Sequence, residues 1–232
     1  MPLLLPIGQF DAGPRPARAL APVTASIAVV CLGVFAGPQD FGQAGAWAGV
    51  HGLTPARYFG SAGLGWVASP LTSIITHASW PHLVFNLIAL LVFGSAVERK
   101  VGARWFGFLF FGLGGLALLA EAVSAPSSTS PIVGASGGVA AIAGAFAAAF
   151  PRSRILVAAL FLTLPVRAWV AIGLWLAFEV GMWVSAPASS TTAHAAHLAG
   201  FALGLTVMAV FLKNRPQQPA RGIPRSLGIS ED

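Results

Sequence analysis

Apolar residues in this chain fall in blocks and do not alternate. Six long blocks, at 19–36, 81–97, 105–123, 135–150, 166–184 and 193–212, are apolar around the whole helical circumference. A helix of that kind belongs in a large core or a bilayer. Each block approaches the ~20 residues that cross a hydrocarbon core roughly 30 Å thick, so the pattern predicts six spans. A shorter apolar run at 155–164 stops at Pro165 and predicts an interfacial segment or part of a connection. The long connection 37–80 is rich in Gly and Pro and carries Trp47, Tyr58, Phe59 and Trp66. Those rings predict a segment lying partly at the membrane–water interface.

Composition agrees with the blocks. Of 232 residues, 56% are hydrophobic and 9% charged, and mean hydropathy is +0.79. Soluble domains carry about 25% charged residues, so this chain cannot cover a water-facing surface. The expected fold is an all-α membrane protein, a bundle of six transmembrane helices. Its organisation is a cytoplasmic tail at 1–18, a membrane domain at 19–212 and a disordered cytoplasmic tail at 213–232. Met1 to Phe10 lacks the basic stretch of a cleavable signal, so the first block should stay as a span. The single cysteine, Cys31, excludes a disulfide framework.

A net charge of +6 raises nucleic-acid binding, but the basic residues do not cluster on one face. Every Lys and Arg except Arg57 precedes the first block, lies in or beside alternate connections, or follows the last block. That asymmetry places both termini in the cytoplasm and predicts the lipid bilayer, not nucleic acid, as the partner. With short tails and no transit peptide, a bacterial plasma membrane is expected. The lack of an internal repeat argues against a duplicated transporter.

Polar residues inside the blocks are the candidate chemistry. Ser136 lies sixteen residues before Arg152, His197 sixteen before Lys213, and His82 sixteen before Glu98. At 1.5 Å per residue, each stands roughly 24 Å from its boundary charge. Three segments therefore bring Ser, His and His to one level, with Asn86 one turn deeper on the face of His82. Gly134, Gly137, Gly138 and Gly144 thin one segment, and Gly200 and Gly204 form a small-xxx-small stripe on another. Such stripes let backbones approach, as a serine–histidine hydrogen bond demands. Each residue also has a plainer reading: Ser136 as a packing residue, Asn86 as an interhelical bond, His51 as uninvolved and His194 as wetted by a loop. Glu121 and Glu179 lie near span ends, where snorkelling or protonation is expected. It is convergence that favours chemistry.

Four stretches together resemble the rhomboid family of intramembrane serine proteases. They are His77-Ala-Ser-Trp-Pro-His82-Leu-Val-Phe-Asn86, Phe93-Gly94-Ser-Ala-Val-Glu98-Arg-Lys-Val-Gly102, Gly134-Ala-Ser136-Gly137 and Ala196-His197-Leu-Ala-Gly200-Phe-Ala-Leu-Gly204. The resemblance implies a serine endopeptidase with Ser136 as nucleophile and His197 as general base. It assigns the oxyanion to His82, Asn86 and backbone amides near Ser136, and gives His77 a supporting role in the outer loop. Gly134, Gly137, Gly200 and Gly204 would support the dyad. Transmembrane proteins would be the substrates, no metal or cofactor is expected, and packing alone would orient His197. The stretch Trp66-Val-Ala-Ser69-Pro70-Leu-Thr72-Ser73 lacks the arginine that the family commonly places after the tryptophan. Two rivals stand beside this reading. One is a metal site from His77, His82, His194 and His197, although no His-Glu-x-x-His is present. The other is an inactive relative that binds membrane-protein clients.

Overall fold

The computed structural model describes residues 5–10, 20–39, 44–60, 68–159, 162–185 and 192–214. Trp66, the stretch 186–191, Arg15, Arg18 and the tail from 215 onward lie outside them. Ten α-helices, numbered α1 to α10, and three strands are described. Four helical stretches are long and apolar enough to cross a membrane: α5 (Trp80–Val101), the continuous Ala103–Ser124, α9 (Ala168–Ser185) and α10 (His194–Lys213). The remaining two blocks form shorter apolar helices, Pro22–Gly37 and Ser136–Ala149; α1 is Pro22–Val34 and α8 is Ser136–Ala149. Six blocks thus give six apolar helices, four of them at spanning length.

The boundaries follow local chemistry. α5 opens on Ser79, whose hydroxyl accepts the His82 N–H, with Pro81 in the first turn, and it closes on Gly102 at φ +86°. Within Ala103–Ser124, α6 (Ala103–Gly107) and α7 (Leu113–Ser124) flank a π-helical turn at Phe108–Gly112. The long connection holds three short helices: α2 (Ala44–His51), α3 (Pro55–Gly60) and α4 (Ser69–Ile75).

The all-α expectation needs correction. Residues 5–10, expected as tail, form strand β1 (Leu5–Phe10), and the expected interfacial run forms the hairpin β2 (Arg154–Ala159) and β3 (Leu162–Arg167). The sheet is antiparallel in the order β1-β2-β3, with Arg154 opposite Arg167 and Ala159 opposite Leu162. Ile155 and Val157 are buried while Arg154 is exposed. That is a period of two, legible only over these few residues. The fifth block therefore starts as a strand and becomes helical at Ala168.

At the core, α8 is buried at every position from Gly137 to Phe146. Its glycines make that possible. A Cβ on Gly138 would stand 2.6 Å from the Phe110 carbonyl in the π-helical turn, and one on Gly114 would stand 2.9 Å from the Gly138 Cα. On the other side, Gly144 packs on the Phe201 carbonyl, Gly200 on that of Gly137 and Gly204 on that of Ala141. No larger residue would let α7 and α10 close on α8 at these points.

α1 is fastened to the far end of α5. Its N-cap position, Ala21, has no side-chain acceptor. Glu98 supplies one, taking the N–H groups of Val23 at 2.9 Å and Thr24 at 2.7 Å and the Thr24 hydroxyl at 2.7 Å. Ser95 Oγ accepts the Ala21 N–H at 3.1 Å. Pro22 has no N–H to satisfy, so the first-turn donors from Ala21 to Thr24 all have partners.

Candidate active site

Ser136 opens α8, and the chain reaches it through Gly134 at φ +120°. Glycine is needed there for two reasons. Other residues rarely adopt that backbone, and a Cβ would stand 2.6 Å from both Cε1 and Nε2 of His82. The His82 ring thus lies over the backbone two residues before Ser136. Asn86 follows one turn later on α5, buried, its Nδ2 donating to the His82 carbonyl at 3.0 Å and lying 3.8 Å from the Gly134 Cβ position. The first-turn N–H groups of α8 lie beside this loop, and a helix start leaves them without intrahelical acceptors.

Several anchors hold this entry loop. Gly134 N donates to the Ser73 carbonyl at 2.9 Å, and Leu53 and Ile132 exchange backbone bonds of 3.0 and 2.8 Å. His77 is fully buried, and its Nε2 accepts the Ala135 N–H at 3.5 Å. Its contact is therefore with the loop that bears Ser136. An accepting Nε2 means a neutral ring, and burial together with the neighbouring His82, 5.3 Å away between ring centroids, lowers its pKa to about 4. His51 packs on Trp47, and its carbonyl accepts the Thr72 hydroxyl at 2.7 Å.

α10 brings the second half. Gly200 rests on the Gly137 carbonyl, and His197 lies one turn earlier on the same face. Ser136 and His197 are therefore each the next polar group beyond one helix contact. Both are partly exposed, with the His197 side chain at 14%.

Two glutamates join the site, contrary to the snorkelling expected for them. Glu121, on α7, accepts the Ala196 N–H at 3.0 Å and caps the first turn of α10, where Ala193 has no side-chain acceptor. Glu179 is the lone charged residue of α9 and is buried. Its Oε2 lies 2.9 Å from His197 Nδ1 and 2.7 Å from His194 Nδ1. Trp175, one turn earlier on α9, sets its ring 6.2 Å from that of His197. The reason for the inward turn is solvation: donors are available inside, and an unpaired carboxylate near lipid is costly. Counting gives their depth but not the direction in which they turn. Glu121 lies seventeen residues after Arg104 and Glu179 twelve after Arg167, roughly 25 and 18 Å along their helices.

Four of the five histidines sort into two pairs, His77 with His82 and His194 with His197. Among the described residues, the group with metal-ligand geometry is Glu179, His194 and His197, with ligand atoms within 4.8 Å of one another. This is not the four-histidine set considered from sequence. Both Nδ1 atoms already meet the carboxylate, while the buried His194 Nε2 has no partner among the described residues.

Residues 66–214 match the family model for the Rhomboid domain. The chain is 31% identical over 159 residues to "Rhomboid-related protein 3" of Homo sapiens and 30% identical over 159 residues to "Rhomboid-related protein 3" of Mus musculus. Each alignment covers 64% of this chain and 37% of the relative, so the chain matches little more than a third of either protein's length. Both relatives are animal proteins and lend no support to the expected bacterial membrane.

Proposed function

The chain belongs to the rhomboid family, and on that footing we propose that it is an intramembrane serine endopeptidase acting on transmembrane proteins within the lipid bilayer. The observation that carries this reading is the contact of α8 with α10 at Gly137 and Gly200. It brings the helix start bearing Ser136 to the turn bearing His197.

His197 Nε2 takes the Ser136 proton, and the alkoxide attacks the carbonyl carbon of the scissile peptide bond. The tetrahedral oxyanion faces His82, Asn86 and the first-turn N–H groups of α8, an electrostatic arrangement of the oxyanion-hole type. Collapse breaks the C–N bond, and His197 returns its proton to the leaving amine. Water then attacks the acyl-enzyme with His197 again as base, releasing the acid and restoring Ser136. Helical carbonyls are already hydrogen-bonded, so the substrate must unwind locally. Small or helix-breaking residues near the end of its span would favour that.

In this reading the bundle has six spans, the two shorter helices crossing with the help of their flanks. Both termini are cytoplasmic, as the basic residues support, and Ser136 works near the opposite face.

The test uses purified protein in liposomes with a single-span reporter whose transmembrane segment ends in Gly and Ala. Wild type should cleave the reporter and be labelled by a fluorophosphonate, and Ser136→Ala should lose both, a fall of at least about 10³-fold. Cleavage by Ser136→Ala at the wild-type rate would end the proposal. A wild type that binds the reporter yet neither cleaves nor is labelled would point to the client-binding alternative.

A further inference from the structure

The structure assigns Glu179 as the positioning residue for His197, so that the working unit is a Ser–His pair oriented by a buried carboxylate shared with His194. This rests on the endopeptidase reading above and adds a third member that packing alone was expected to replace.

Three observations carry it. First, a carboxylate oxygen offers only lone pairs. Both imidazoles that reach Glu179 Oε2, at 2.7 and 2.9 Å, must therefore carry their hydrogen on Nδ1. That fixes the His197 tautomer and leaves Nε2 as the proton acceptor a general base requires. Second, α9 has no other reason to keep the charge. Its inner stripe is Ala168, Ile172 and Glu179, while Trp169, Leu174, Val180, Trp183 and Val184 are exposed large apolar residues. Third, the same face of α9 holds Trp175 beside the His197 ring. One helix thus sets both the ring's hydrogen bond and its packing.

His194 completes the arrangement. It is buried, its own Nε2 has no partner among the described residues, and it donates to the same oxygen. With two donors on one atom, Oε2 is held in place before His197 takes a proton. When His197 becomes an imidazolium, the carboxylate faces it at hydrogen-bond distance and stabilises the new charge where the dielectric is low. Glu121 is on the backbone of Ala196 and does not compete for either ring.

The experiment compares wild type, Glu179→Gln and Glu179→Asp in liposomes with the Gly/Ala-ended single-span reporter. The steady-state constants and the rate of fluorophosphonate labelling are measured on material of matched thermal midpoint. A glutamine can rotate and donate from its amide, so Nδ1 is no longer obliged to carry the hydrogen. We expect Glu179→Gln to lower kcat and the labelling rate by about 10²-fold with KM within about twofold. Glu179→Asp restores the charge and should recover at least about tenfold of that loss. An active wild type alongside a Glu179→Gln variant of equal kcat would overturn the assignment. So would equal losses in Gln and Asp variants accompanied by a rise in KM, the signature of a merely structural role. A wild type that is neither active nor labelled would overturn the endopeptidase reading instead, and this proposal with it.

Discussion

Glu98 and Glu179 are both buried glutamates on apolar helices, at opposite ends of the bundle. Glu98 faces backbone N–H groups and a hydroxyl of α1. None of those donors titrates near neutral pH, so its partners are the same at any working pH. Glu179 faces two imidazoles, whose ring nitrogens can give up or take on a proton. Packing does not separate the two ends: a Cβ on Gly94 would stand 2.9 Å from Thr24 Cγ2, and one on Gly134 would stand 2.6 Å from His82. One end is built of fixed partners, the other of partners that can exchange a proton. Buried charge alone does not mark a site; what marks it is a partner that can exchange a proton.

The sharpest way to break that comparison is to remove Glu98. Glu98→Ala strands the N–H groups of Val23 and Thr24 and the Thr24 hydroxyl. At roughly 1–3 kcal/mol for each unsatisfied buried group, a loss of about 4 kcal/mol is expected in a detergent denaturation assay, with α1 detaching first. Turnover per folded molecule should stay within about twofold of wild type. A variant that keeps its stability but loses turnover would show that the Glu98 end takes part in chemistry.

Gly134→Ala should act in the opposite sense. The added methyl meets the His82 ring and forces an unfavourable φ, so either the ring or the entry to Ser136 must shift. An oxyanion donor displaced by even 1 Å is expected to cost about 10²-fold in turnover, with a smaller effect on the denaturation midpoint. Kinetics and denaturation measured on the same preparation check this. Full activity would mean that His82 does not serve the reaction from the position it occupies.

Much of this architecture is legible in the sequence because lipid removes alternatives. A long block apolar on every face reads as a helix, and each of the six blocks contains one, four of them at spanning length. Partners are harder to read than depth. Glu121 and Glu179 lie at the right levels, yet nothing in their spacing says whether a side chain turns toward lipid or toward a neighbouring helix. The run 155–164 fails for a different reason. Six-residue strands give too few positions to tell a period of two from a short apolar run. Its pairing partner, moreover, lies some 150 residues away at 5–10. Nor does sequence show that Glu98 caps a helix lying 75 residues before it.

The smallest effect concerns pH. His77 is buried and neutral in the folded protein, with a pKa of about 4 against 6.5 for a free imidazole. Between those values the unfolded chain binds a proton that the folded chain does not, so stability rises with pH across the window. The contribution is complete above about pH 7 and is lost as pH falls toward 4. Going from pH 7 to pH 5 should cost about 2 kcal/mol from this residue. His77→Gln should flatten that part of the profile, and Glu98→Gln should leave it unchanged. A profile whose slope survives in His77→Gln would show that the sensitivity does not come from His77.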